Sequence, residues 1–105
     1  MKRFEGSPAP WRINGVDYHD YGLIDAEGGE IMLLKAECER DDHNATLIAA
    51  APDLLEALQQ MVGRIEYYAS LKETEQPNIE DWAYTYNSGD MDDARSAISK
   101  ALGEE

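Results

Sequence analysis

The sequence predicts an α+β domain: a short N-terminal antiparallel β-meander of two hairpins packed against two to four helices. Three observations carry that reading. Glycine-bearing turns punctuate strand-compatible residues as far as Glu37, and beyond Asp42 apolar residues recur at spacings of three and four. At 105 residues the chain has room for a single core, burying roughly 60–70% of the surface that its unfolded form exposes. The whole of 1–105 therefore reads as one domain.

The first ten residues close on Ser7-Pro8-Ala9-Pro10. Two prolines remove backbone donors and favour extended backbone, so residues 1–10 read as a lead-in arm. Residues 11–37 read as the two hairpins. In the first, Trp11-Arg12-Ile13 and Val16-Asp17-Tyr18 flank Asn14-Gly15, a pair that tolerates the positive φ angles of a two-residue turn. In the second, residues 21–25 and 30–37 flank Ala26-Glu27-Gly28-Gly29. Ile31-Met32-Leu33-Leu34 is apolar on both faces, which predicts a strand inside the sheet with helices on one side and the arm or a partner near the other. A helix competes there, and the preceding glycines oppose it.

Residues 42–103 read as the helical part. Asp41 and Asp42 offer capping oxygens and negative charge ahead of Ala45-Thr46-Leu47-Ile48-Ala49-Ala50-Ala51. Pro52 interrupts a helical backbone but suits the first turn of a new helix, so a break or sharp kink is expected at Ala51-Pro52. From there Leu54, Leu55, Leu58, Met61, Val62, Ile65 and Tyr68 or Ala69 align on one face, predicting the main core helix over 52–71. Gly63 inside it suggests close approach of a neighbour. Residues 72–89 read as irregular, with a short helical turn capped by Asn78 and then a loop. A final helix follows from Asp90, with Met91, Ala94, Ile98 and Ala101 or Leu102 on one face, Lys100 near its end and Gly103 as its stop.

Twenty-two acidic against nine basic side chains give a net charge of −13. Direct binding to a phosphate backbone is disfavoured, whereas basic partners are attracted. The same charge also serves solubility alone. A single cysteine, Cys38, excludes an internal disulfide framework and favours a reducing compartment, the cytoplasm by default. Met1-Lys2-Arg3 is followed by no apolar stretch, and no run approaches the ~20 residues of a membrane span, so neither export by that route nor membrane insertion is expected.

Sites of chemistry are hard to assemble. His19, Cys38 and His43 are metal-ligand types, but their spacing offers no paired ligands, and a buried or half-buried Cys38 with surface histidines explains them better. Glu37 and Glu39 beside Cys38 disfavour a thiolate. Asp90, Asp92 and Asp93 resemble a calcium loop only faintly, lacking its glycine and terminal glutamate, and helix capping accounts for them. Gly28-Gly29 lacks the spacing and lysine of a phosphate loop. No catalytic residue, metal or cofactor is expected.

Segment 73–93 stands out, because it joins Glu73, Glu75, Glu80, Asp81, Asp90, Asp92 and Asp93 to Trp82, Tyr84 and Tyr86. Exposed aromatics among acids suit a basic protein partner, and Trp82, Tyr84, Tyr86, Glu80, Asp81, Asp90, Asp92 and Asp93 are the candidate contact residues. The competing reading has Trp82 and one tyrosine plugging the core while the acids face water.

The stretch Asn44-Ala45-Thr46-Leu47-Ile48-Ala49-Ala50-Ala51-Pro52-Asp53-Leu54-Leu55-Glu56-Ala57-Leu58 resembles a family of small bacteriophage and prophage accessory proteins. Pro10-Trp11 before a strand, the Asp25-Ala26-Glu27-Gly28 turn and the closing Ala94-Arg95-Ser96-Ala97-Ile98-Ser99-Lys100-Ala101 agree with it. The resemblance implies a phage or prophage gene product acting in the host cytoplasm, and implies no reaction. Segment 73–90 is more elaborate than the variable connection the resemblance leads one to expect.

The leading functional expectation is a non-enzymatic protein that binds a host protein, basic or nucleic-acid-binding, as an acidic inhibitor or a nucleic-acid-mimicking anti-defence factor. The alternative is a structural protein that self-assembles as a homo-oligomer, a homodimer above all. A ligand-sequestering pocket or small enzyme ranks third.

Overall fold

The computed structural model describes residues 3–16, 19–77 and 81–104. It is α+β, as the sequence predicts: an antiparallel sheet of β1 (Arg12–Val16), β2 (Asp20–Ile24) and β3 (Glu30–Lys35), in that spatial order, precedes the helices. These are α1 (Glu39–Ser70), α2 (Asp81–Tyr86) and α3 (Gly89–Ala101), with a 3-10 turn at Glu73–Glu75. The chain forms two compact units, Glu5–Leu54 and the residues from Leu55 onward, the latter with Arg3 and Phe4.

In the first unit the hairpin between β2 and β3 is the expected one. Asp25 Oδ1 accepts the backbone N–H groups of Glu27 (2.9 Å) and Gly29 (3.0 Å), and Gly28 takes φ +85°, a conformation that glycine adopts without steric cost. The arm is tied to this turn: Ala26 N–H donates to the Pro8 carbonyl at 3.0 Å, and Trp11 Nε1 donates to the Ser7 carbonyl at 3.0 Å.

Asn14-Gly15 is not a hairpin turn. Ile13 pairs with Leu23 and Val16 with Tyr21, so Asn14 and Gly15 together stand across from Gly22 as a bulge within β1, with Gly15 at φ +77°. The same left-handed preference serves a bulge as readily as a turn. The sheet is thus a meander of two hairpins that share β2, three strands where two separate hairpins would have four, and the remainder of the expected second strand, Asp17-Tyr18, lies outside the described residues.

Nor is β3 an interior strand. It lies at an edge, with β2 in the middle; Leu23 and Ile24 of β2 are buried, whereas Met32 and Leu33 are 47% and 58% exposed.

Helix α1 starts earlier than expected and does not break. The Cys38 carbonyl accepts the N–H groups of Asp41 (3.0 Å) and Asp42 (3.3 Å), while Asp41 Oδ2 reaches back to the Glu37 N–H at 3.0 Å. Asp41 therefore caps from inside the first turn. Pro52 stands within the helix, buried. Proline denies an N–H to the carbonyl four residues earlier, but good helix formers on both sides, including Ala49-Ala50-Ala51 and Leu54-Leu55-Glu56, carry the backbone through.

The second unit is built on the far half of α1. Val62, Met91 and Ile98 form its core, with Leu55, Leu58, Ile65, Ala94 and Leu102 packed against them. Leu54 and Met61, expected on the same face, are 54% and 64% exposed. Adjacent helical residues diverge by about 100°, and the core takes Leu55 and Val62 in preference to their neighbours. Gly63 has no close neighbour, since a Cβ there would meet nothing within 4 Å. Helix α3 follows expectation in its buried face and in its end. Gly103, at φ +74°, donates to the Lys100 carbonyl (3.2 Å) and Glu104 to that of Ser99 (2.9 Å), which is a Schellman motif.

Candidate interaction surface

The described residues of 72–89 hold a 3-10 turn and a short helix where a loop was expected. Helix α2 carries Trp82, Tyr84 and Tyr86, and α3 follows almost at once with Ser88 at its N-cap. The Ser88 hydroxyl donates to the Thr85 carbonyl (2.7 Å), so it ties the two helices together and makes no cap bond. The expected cap, Asn78, lies outside the described residues, as does Glu80. Asp81 is the first residue of α2.

Alternation along this short helix sends the three aromatics to different tasks. Trp82 is half-buried: its indole N–H donates to the Pro77 carbonyl at 3.2 Å, and its ring meets Tyr68 of α1 edge-on at 6.0 Å. That is a packing role. Tyr84 is 78% exposed and has Ala83, Asn87, Ser88 and Gly89 around it in a shallow groove. Tyr86, four residues from Trp82, lies under the Arg95 guanidinium at 5.5 Å.

Arg95 was missed by sequence reasoning. It reaches Glu66 Oε2 at 3.3 Å and Asp92 Oδ1 at 3.9 Å as well as the Tyr86 ring, so it links α1, α2 and α3. The i,i+3 spacing of Asp92 and Arg95 was a readable signal, but Glu66 is 29 residues away and left none.

The exposed acids Asp90, Asp92 and Asp93 lie in the first turns of α3, where they complement the positive end of the helix dipole. Tyr84 is exposed just before them in the sequence, so the α2–α3 segment carries an exposed aromatic and exposed carboxylates close together along the chain. Of these acids only Asp92 has Arg95 near it, at 3.9 Å across an 83% exposed side chain, a distance that leaves it largely solvated.

The other candidates resolve differently. Cys38 is exposed, contrary to the burial expected of it, because the turn into α1 lies at the surface. His19 and His43 are exposed, and His43 Nε2 sits 3.7 Å from Glu39. Among the described residues no three His, Cys, Asp or Glu side chains are grouped to hold a metal ion, and no helix is long and apolar enough to cross a membrane.

One comparison with known proteins extends over the full chain. A family model described as Salmonella phage P22 protein Y8K6 matches residues 1–105. The chain belongs to that phage protein family. No curated protein and no solved structure matches it. Membership of the Y8K6 family agrees with the phage resemblance of the sequence in its general form, and it brings a lineage with no reaction attached.

Proposed function

We propose that the chain is a phage accessory protein that acts in the host cytoplasm by binding a basic or nucleic-acid-binding host protein, without catalysis. The observation that carries the reading is the α2–α3 segment, where Tyr84, 78% exposed, is followed closely along the chain by the exposed Asp90, Asp92 and Asp93, in a chain of net charge −13. An exposed aromatic with carboxylates near it along the chain suits a partner that presents lysines or arginines around an apolar spot. A partner whose own ligand is nucleic acid meets that description, which makes inhibition by charge mimicry the mechanism of choice.

The test is capture from bacterial lysate by the tagged chain and by two variants, Tyr84→Ala and the combined Asp90→Asn, Asp92→Asn, Asp93→Asn. Both variants should fold as the wild type and should lose most of the captured protein. Capture undiminished in both would remove this segment from the interface.

A second reading, self-assembly, is favoured by exposed large apolar side chains on α1, Leu54 in the first unit and Met61 in the second. It predicts an assembly that forms with no host protein present, visible by sedimentation.

A further inference from the structure

The outer edge of the sheet offers a contact of its own. Among the described residues strand β3 is joined to β2 alone, so its other edge carries backbone N–H and C=O groups with no neighbouring strand among them. Edges of this kind are ordinarily blunted by proline, inward charges or strong bulging. The opposite edge of the sheet, β1, has the Asn14-Gly15 bulge at its middle. In β3 the register irregularity falls near the N-terminal end, around Ile31, and leaves Met32–Leu33–Leu34–Lys35 regular.

That regular run is bare for a structural reason. Leu33 pairs with Gly22, where a Cβ would stand 3.2 Å from the Asn14 carbonyl of the bulge and the carbonyl would have to give way. Leu33 therefore has no side chain directly opposite it and is 58% exposed; Met32, on the other face, is 47% exposed.

We propose that β3 pairs antiparallel with β3 of a second copy of this chain, about a two-fold axis at Leu33. The electrostatics select a second copy over a basic partner. Copies of charge −13 repel, so they meet best where charge is locally absent, and Met32–Leu33–Leu34 carries none. Lys35 holds Glu37 at 3.4 Å, so the end of the strand that would face Glu30 of the other copy is neutral. A basic partner would find no carboxylate along this run. The geometry selects the register: a two-fold axis perpendicular to a sheet opposes residues of equal parity, setting Leu33 against Leu33 and Met32 against Leu34 of the other copy. Centring on Met32 would instead set the irregular Ile31 beside the axis, against Leu33, whereas centring on Leu33 keeps it at the end of the seam, against Lys35.

This contact does not depend on the host-binding reading, and it is separable from it by salt. Sedimentation of the full chain across the micromolar range should show a dimer that persists in high salt. Leu33→Lys, at an exposed position, should raise the dissociation constant about 100-fold or more while leaving the circular dichroism unchanged. Independently, Leu33→Cys in a Cys38→Ser background should give a disulfide-linked dimer, with oxidised glutathione taking the two electrons, because directly opposed strand residues lie within disulfide reach. A wild-type chain that stays monomeric throughout, a Leu33→Lys chain that dimerises as well as wild type, or a dimer abolished by Met61→Lys and not by Leu33→Lys would overturn the proposal.

Discussion

Tyr21 on β2 donates its hydroxyl to the Asp42 carboxylate at the start of α1. That hydrogen bond, with some desolvation and the charges of Asp42 and Asp41, raises the tyrosine pKa above its ordinary value, since each favours the neutral phenol. A folded pKa above the unfolded one stabilises the fold fully below the unfolded value, near 10, and the contribution is lost as pH rises through the folded value. Thermal melts should therefore show the wild type losing stability above about pH 10 more steeply than Tyr21→Phe. Equal slopes would mean that the hydroxyl is not held by Asp42 in the fold. Two glycines make a sharper pair at the same scale. Gly63→Ala should stabilise by about 0.5–1 kcal/mol, as its Cβ enters open space in a helix and the unfolded chain loses freedom. Gly22→Ala should destabilise by about 1–3 kcal/mol, as the Asn14 carbonyl must move within the bulge. Urea denaturation of both variants checks the two signs together.

Helix α1 is the element on which sequence and structure differ most instructively. Its apolar residues come in adjacent pairs, Leu54-Leu55 and Met61-Val62, and periodicity alone fits either member to the core. What decides is the partner that arrives from α3, and Met91 and Ile98 select Val62, with Leu55 beside it. Met91→Ala should accordingly cost about 2–5 kcal/mol, and Met61→Ala within about 0.5 kcal/mol, in the same urea titrations. Helix α3 was legible almost completely, because its acidic start, its apolar face and its glycine stop agree with one another. The second hairpin was legible for a similar reason, an aspartate and glycines that make a specific turn. Asn14-Gly15 was not, since a positive-φ glycine serves a bulge and a turn equally and the choice rests on pairing with β2. Proline at position 52 has a comparable ambiguity: one missing hydrogen bond is a local cost, and whether a helix survives it depends on the residues around it. Within the candidate surface, the aromatic and acidic content of α2 and α3 was visible in sequence, whereas the inward turn of Trp82 onto Tyr68 and the bridge from Arg95 to Glu66 depend on contacts distant along the chain.

For the whole molecule, charge is the property most directly tied to what it meets. On the proposed function, a net charge of −13 disfavours nucleic acid and favours proteins that bind it. Attraction of that kind weakens with ionic strength, because the Debye length falls from about 10 Å at 0.1 M salt to about 3 Å at 1 M. A sheet-edge contact made by backbone and apolar side chains changes little over the same range, so salt separates the two proposed contacts. The most direct measurement is a pull-down from bacterial lysate with the tagged chain, nuclease added, at low and at high salt, read by mass spectrometry. The account predicts one basic host protein, retained at low salt and released at high salt, in amounts that fall with Tyr84→Ala. No host protein enriched at either salt, or one retained equally at both, would contradict it.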